Sequence, residues 1–131
     1  MPDAENIIRT CTLGGGVRAV ISDHTRHYFG GYYHVRILVS ADVPVSAGAF
    51  ARESEHQDAL RRLGIFVSFS RTLERMAVPE GEIDAVRQHL LASFDTNELP
   101  YLVRAGFAGS FIQSEYRKAL KSGVAVHRYQ P

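Results

Sequence analysis

The 131 residues are of single-domain size, long enough to bury one core without disulfides or a metal. A hydrophobic share of 45% with 22% charged residues excludes a disordered or low-complexity chain, and a net charge of +1 is not by itself a nucleic-acid signature. The single Cys11 excludes an intramolecular disulfide and a cysteine-rich zinc module.

The opening MPDAENII carries acids where a secretory signal has basic residues. No apolar run approaches the ~20 residues that span a bilayer, so a cytoplasmic protein with no membrane contact is expected. No repeat or charge block interrupts the chain, which is read as one domain, 1–131.

IIRTCTL (7–13) alternates as a strand, and Gly14, Gly15 and Gly16 make a turn. In 17–29, Val17, Ala19, Ile21 and Phe29 share one parity. After Gly30 and Gly31, the run 32–43 puts Tyr33, Val35, Ile37, Val39, Ala41 and Val43 on one parity, the clearest period of two in the chain. Pro44 suits a strand end. Residues 46–64 begin small and polar and become weakly helical, with Ser54 and Gln57 at capping-box spacing. In 65–78, Ile65, Val67, Phe69, Leu73 and Ala77 alternate with Ser68, Ser70, Thr72 and Glu74.

Pro79 opens a helix with Glu80, Glu82 and Asp84 in its first turn and a stripe of Ile83, Val86, Leu90 and Phe94. A second helix follows, capped by Asp95 or Asn97, with Pro100 in its first turn. Its AGFAGS stretch (105–110) either admits a neighbour closely or marks a break between two helices. Gly123 ends that helix, and VAVHRY (124–129) reads as a short closing strand. The pattern predicts an α+β fold, an antiparallel sheet of about four to five strands with two C-terminal helices packed on one face.

The stretch HTRHYFGGYYH (24–34) concentrates histidine and tyrosine about a glycine turn. A two-residue loop pairs Phe29 with Tyr32 and sets His27 opposite His34. A three-residue loop with a glycine bulge pairs Phe29 with Tyr33 and Tyr28 with His34. A one-residue slip turns a whole strand over, and only the second register puts the apolar parities of both strands on one face. It places Arg18, His24, Arg26, Tyr28, Tyr32, His34 and Arg36 on the other face, and His27 with the apolar set.

In that register His24 lies about 13 Å along the strand from Tyr28, the partner of His34, so the two histidines do not share one ion. A catalytic zinc takes three protein ligands; His56, His89 or His127 would have to be brought in by folding. No metal and no cofactor are expected. A face of Arg26, Tyr28, Tyr32, His34 and Arg36 instead offers guanidinium forks for phosphate or carboxylate and rings for stacking. Its plainer reading is a wet strand face, or one covered by a second subunit, since Tyr and Arg also anchor protein interfaces.

Charge is unevenly placed. Residues 6–41 carry Arg9, Arg18, Arg26 and Arg36 against Asp23, and residues 116–131 are basic. Between 74 and 98 the acids Glu74, Glu80, Glu82, Asp84, Asp95 and Glu98 face only Arg75 and Arg87. Acids near a helix start are favoured by its dipole; the same pattern suits a self-complementary oligomer.

Other motifs are weaker. The triple glycine precedes a strand rather than the helix of a P-loop. Cys11 sits mid-strand as a small core residue. Ser22, Asp23 and His24 are consecutive in a strand, so the three cannot converge as a triad. Arg71 and Arg75 break the inward parity of 65–78. Either the strand leaves the core after Phe69, the favoured reading, or Arg71 is buried against Glu98, Asp95 or a bound anion.

The expectation is therefore a homo-oligomeric, non-enzymatic interaction protein with a tentative binding set of Arg26, Tyr28, Tyr32, His34, Arg36 and Arg71, using that face or its strand edges to meet a protein partner. Nucleic acid or another polyanion on the sheet face is the alternative. An enzyme acting on a small anionic substrate is the third, and it requires a concave pocket at Arg26, His34 or Arg71.

Overall fold

Strand β4 (Tyr32–Pro44) carries the sheet. The computed structural model describes residues 6–123, and in them the chain forms a five-stranded antiparallel sheet with helices against it, the expected α+β fold. Along one edge of β4, β2 (Arg18–Asp23) pairs with the second half and β3 (Arg26–Phe29) with the first. Along the other edge β5 (Phe66–Pro79) pairs from Tyr32 to Pro44, and β1 (Ile7–Thr12) lies outside β2. The closing strand expected at 124–129 lies outside the described residues.

The period of two decides the core. Ile37, Val39, Ala41 and Val43 of β4, Ala19 and Ile21 of β2 and Leu73 of β5 are all buried on one side. Against them pack α1 (Glu53–Leu63), α2 (Ile83–Asn97), α3 (Leu99–Leu102) and α4 (Phe107–Lys118), which contribute Ala59, Phe94, Leu102, Phe107 and Ile112. Phe69 meets Phe107 and Phe111 edge-on, at 5.4 and 5.6 Å between ring centroids. Each large aliphatic side chain buried here contributes about 1.5–3 kcal/mol. No helix among the described residues is long and apolar enough to cross a membrane.

Several local expectations need correction. Residues 17–29 form two strands rather than one. The carboxylate of Asp23 accepts from the backbone N–H and hydroxyl of Thr25 (2.9 and 2.6 Å), an Asx turn that breaks the ladder after one further bond from His24 N–H to the Arg36 carbonyl. Helix α1 has Arg52 as its N-cap and no capping side chain. Gln57 donates to Glu53 instead, at 2.6 Å, so the Ser54–Gln57 capping box does not form. The second helix splits at 103–106 into α3 and α4, the break that AGFAGS allowed, and neither Asp95 nor Asn97 caps it.

Strand β5 does not leave the core after Phe69, because Leu73 is buried. Arg71 sits on the helix side at the margin, its side chain 52% exposed, with a bidentate grip on Glu98 at 2.5 and 3.1 Å. Further along, Ala77 has φ +56, and two residues of β5 lie opposite His34. This bulge turns Val78 inward to 2% exposure and Ala77 out, reversing the parity read from the sequence. Ile65 precedes the strand and is exposed.

The first glycine of the triple turn has a packing role. Gly14 is buried, its N–H donates to the Leu102 carbonyl at 2.8 Å, and a Cβ there would lie 1.5 Å from the Arg104 carbonyl oxygen. The β1–β2 turn is thereby wedged into the α3–α4 junction. Gly14→Ala should destabilise the fold by about 3 kcal/mol; a urea midpoint equal to wild type would refute the wedge.

Helices α1 and α4 are joined by a polar latch. The Tyr116 hydroxyl donates to Asp58 at 2.7 Å, Arg62 Nε at 2.9 Å, and Arg61 also reaches it. These donors, the Tyr116 hydroxyl foremost, lower the Asp58 pKa from 3.8 to about 2. A depressed carboxylate pKa stabilises the fold above its unfolded value, and the gain is lost as pH falls from about 4 through 2. Asp58→Asn should cost about 1–2 kcal/mol at pH 7 and much less at pH 2. Urea unfolding of both proteins at the two pH values checks it; a pH-independent difference would assign the loss to packing.

Candidate functional site

With the helices on one side, the other face of the sheet is left uncovered by the described residues. Cross-strand pairing fixes which residues share it: Val20 with Ser40, Ser22 with Leu38, Leu38 with Thr72, Ser40 with Ser70, Arg36 with Glu74 and Asp42 with Ser68. Toward the hairpin the same face carries Arg26 opposite His34 and Phe29 opposite Tyr32. Apolar Val20 and Leu38 lie amid serine and threonine, with charged groups toward both ends.

The hairpin register combines features of both sequence readings. Its loop has two residues, Gly30 and Gly31, with Phe29 opposite Tyr32. A bulge at Tyr28 then sets His27 opposite Tyr33 and Arg26 opposite His34. Tyr28 is therefore not the partner of His34 as expected. The bulge nonetheless restores the parity that burial demanded, since Ala19 and Ile21 share a face with Ala41 and Val39. His27 points to the helix side but is exposed, edge-on to Tyr33 at 5.4 Å, and its Nε2–H donates to the Gly30 carbonyl at 2.6 Å. It closes the turn.

Of the candidate residues, Arg26, Tyr32, His34 and Arg36 come together on the uncovered face. Tyr28 sits in the bulge and is 55% exposed, while Arg71 belongs to the helix side. His34 is buried, and its Nε2–H donates to Glu74 at 2.7 Å. Its cross-strand partner is Arg26, so His24 is only two residues, about 7 Å, along the strand from that partner. His24 is engaged elsewhere, with Ser22 Oγ at 2.9 Å. Among the described residues no three His, Cys, Asp or Glu side chains gather as metal ligands would.

Serine, aspartate and histidine at 22–24 do not converge. Residues two apart share a face, which brings Ser22 to His24, while Asp23 turns to the helix side and meets Arg87 at 2.8 Å. Ser22 is fully buried, so its hydroxyl braces the His24 ring rather than facing a substrate. Burial raises the Cys11 thiol pKa, which keeps that side chain in its unreactive form.

Between the charged ends lies an open trough of about 690 Å³, lined by Arg18, Val20, His24, Leu38, Ser40, Ala41, Asp42 and Ser68. Arg26, His34 and Arg71 do not line it. Of its lining, the hairpin parity by itself puts only Arg18 and His24 on this face. Parity along 18–24, 38–42 and 66–74 held the signal for Val20, Leu38, Ser40, Asp42 and Ser68, which carry no distinctive chemistry alone.

The arginines divide by face. On the helix side Arg9 meets Asp95 at 2.7 Å, Arg71 meets Glu98, and Arg87 meets Asp23 and Asp84, whereas Arg75 of β5 and, on the helices and their junctions, Arg52, Arg104 and Arg117 meet no carboxylate among the described residues. The acids of residues 84–98 thus pair within the chain. On the uncovered face, Arg18, Arg26 and Arg36 meet no carboxylate among the described residues. Both acids of that face are already engaged, Glu74 by His34 and Asp42 by the Ser68 hydroxyl at 3.3 Å.

Comparison with family models, with characterised proteins and with solved structures finds no match to this chain. The reading of the site rests on its own geometry.

The bulge beside His34 holds a non-glycine residue in the left-handed region, a cost that glycine avoids. Ala77→Gly should therefore stabilise the fold by about 0.5–1 kcal/mol, raising the melting midpoint by roughly 2–5 °C. A thermal melt followed by circular dichroism tests it, and a lowered midpoint would show that the conformation carries no strain.

Proposed function

We propose that this chain is a non-enzymatic interaction module that seats an anionic macromolecule on the sheet face opposite its helices. One observation carries the reading: three strand arginines of that face lack a carboxylate partner among the described residues, while the arginines that the strands turn to the helix side, Arg75 apart, are paired. A guanidinium presents a planar fork of donors suited to phosphate or carboxylate. Here the fork is open to whatever approaches.

The supporting geometry is the face itself. Three to four strands side by side, about 4.8 Å apart, and ten residues of β4 at about 3.3 Å each give a surface of roughly 500–600 Å². That is most of the roughly 800 Å² that one partner contributes to a standard interface. The central Val20 and Leu38 supply an apolar patch, and the charges surround it, which is the arrangement of a recognition surface.

Heparin chromatography tests the charge. The wild-type chain should be retained at about 0.15 M salt and released as salt rises. The triple variant Arg18→Gln, Arg26→Gln, Arg36→Gln should emerge in the flow-through, while Arg75→Gln on the helix side elutes as wild type. Elution of the triple variant at the wild-type salt concentration would reject the proposal. Light scattering on the same samples reads whether a second copy of the chain already occupies the face.

A further inference from the structure

The uncovered face ends in a group of aromatic rings that a simple anion has no use for. Phe29 is 72% exposed, Tyr28 55% and Tyr32 46%, all at the tip of the β3–β4 hairpin. Phe29 and Tyr32 are cross-strand partners on the uncovered side. The chain has no tryptophan; of its other phenylalanines Phe94 and Phe107 are buried in the core, while Phe66, alone at the far end of the same face, is 54% exposed. Rings gathered in water at one point of the surface mark a contact surface.

We infer that the anion seated on this face is a single-stranded nucleic acid, its bases stacked at the hairpin tip and its phosphates held by Arg26 and Arg36. The inference rests on the anion-seating reading above. From Tyr32 to Asp42 the track along β4 runs about 33 Å, with rings first, then Arg26 beside His34, then Arg36, then the trough. Rings at one end and guanidinium groups along the way meet the two repeating features of a single strand, flat bases and a charged backbone. A duplex keeps its bases stacked inside and offers the rings nothing. Sulfated polysaccharide or an acidic peptide satisfies the arginines and leaves the rings idle. A sheet face with exposed aromatics is a general solution for unpaired bases.

The test is fluorescence anisotropy with a labelled mixed-sequence 12-mer, as single-stranded DNA, as single-stranded RNA, and as the DNA duplex. A single strand, DNA or RNA, should bind at least about tenfold more tightly than the duplex. Binding should weaken with salt at a logarithmic slope of about −1.4, as two arginine–phosphate contacts predict. The double variant Phe29→Ala, Tyr32→Ala should lose about tenfold or more in single-strand affinity with its heparin elution unchanged, because the rings serve bases only. Both residues are exposed, and a thermal melt confirms that the variant is folded.

Equal affinity for single strand and duplex, or an aromatic variant that binds as wild type, would overturn the inference. In either case arginine-dependent heparin retention would leave the anion-seating reading standing, and its loss as well would remove both. An aromatic variant that instead changes the molecular mass by light scattering would assign the tip to contact between copies of the chain, which also overturns it.

Discussion

The structure depends on β4. β5 pairs along one edge of it from Tyr32 to Pro44 and β2 and β3 pair along most of the other, so each side chain is committed to one face or the other with no freedom to slip. The odd positions from Val35 to Val43 are apolar and buried, and they draw every helix to one side. The even positions from Tyr32 to Asp42 then have no helix among the described residues to cover them, and His34 is buried by its neighbours on the sheet alone. The candidate surface is a consequence of that alternation: the strand that builds the core also presents the face behind it.

Electrostatics follows the same division. On the helix side, ion pairs tie the sheet to α2 and the segment after it, Arg9 to Asp95 from β1, Arg71 to Glu98 from β5 and Asp23 to Arg87 from β2. Part-exposed pairs of this kind contribute little stability each, and they orient the helices rather than hold them. The uneven charge along the chain, basic early and acidic in the middle, is largely absorbed by these contacts within one molecule. Among the strand arginines, folding leaves Arg18, Arg26 and Arg36 unanswered on one face and Arg75 alone on the other. Nearly neutral overall charge therefore coexists with a face whose arginines are unanswered, which a whole-chain sum conceals.

Much of this was legible in the residues. The alternation of 32–43 located the central strand and its buried parity, and from it came the uncovered face with Arg26, Tyr32, His34 and Arg36. The Arg71 partner was among the acids named for it, although the strand was read as leaving the core there. Less legible were the bulges at Tyr28 and Ala77. Each shifts pairing by one residue for reasons that lie across the sheet, in the need to bring Ile21 level with Val39 and to turn Val78 inward. The Ser54 capping box was misread because α1 begins earlier, at Glu53, and Gln57 found a partner one turn back.

By itself, then, the sequence determined what is periodic: which segments are strands, which faces are apolar, and that the class is α+β. Those features follow from the two-residue repeat of a strand and the turn of a helix, both local to a few residues. Tertiary structure alone decided where the repeat breaks, which arginines find carboxylates, and why Gly14 must lack a side chain against the Arg104 carbonyl. These depend on groups distant in the chain meeting at a few ångströms, as Arg9 and Asp95 do. No local pattern records that distance, and the character of the uncovered face is set by it.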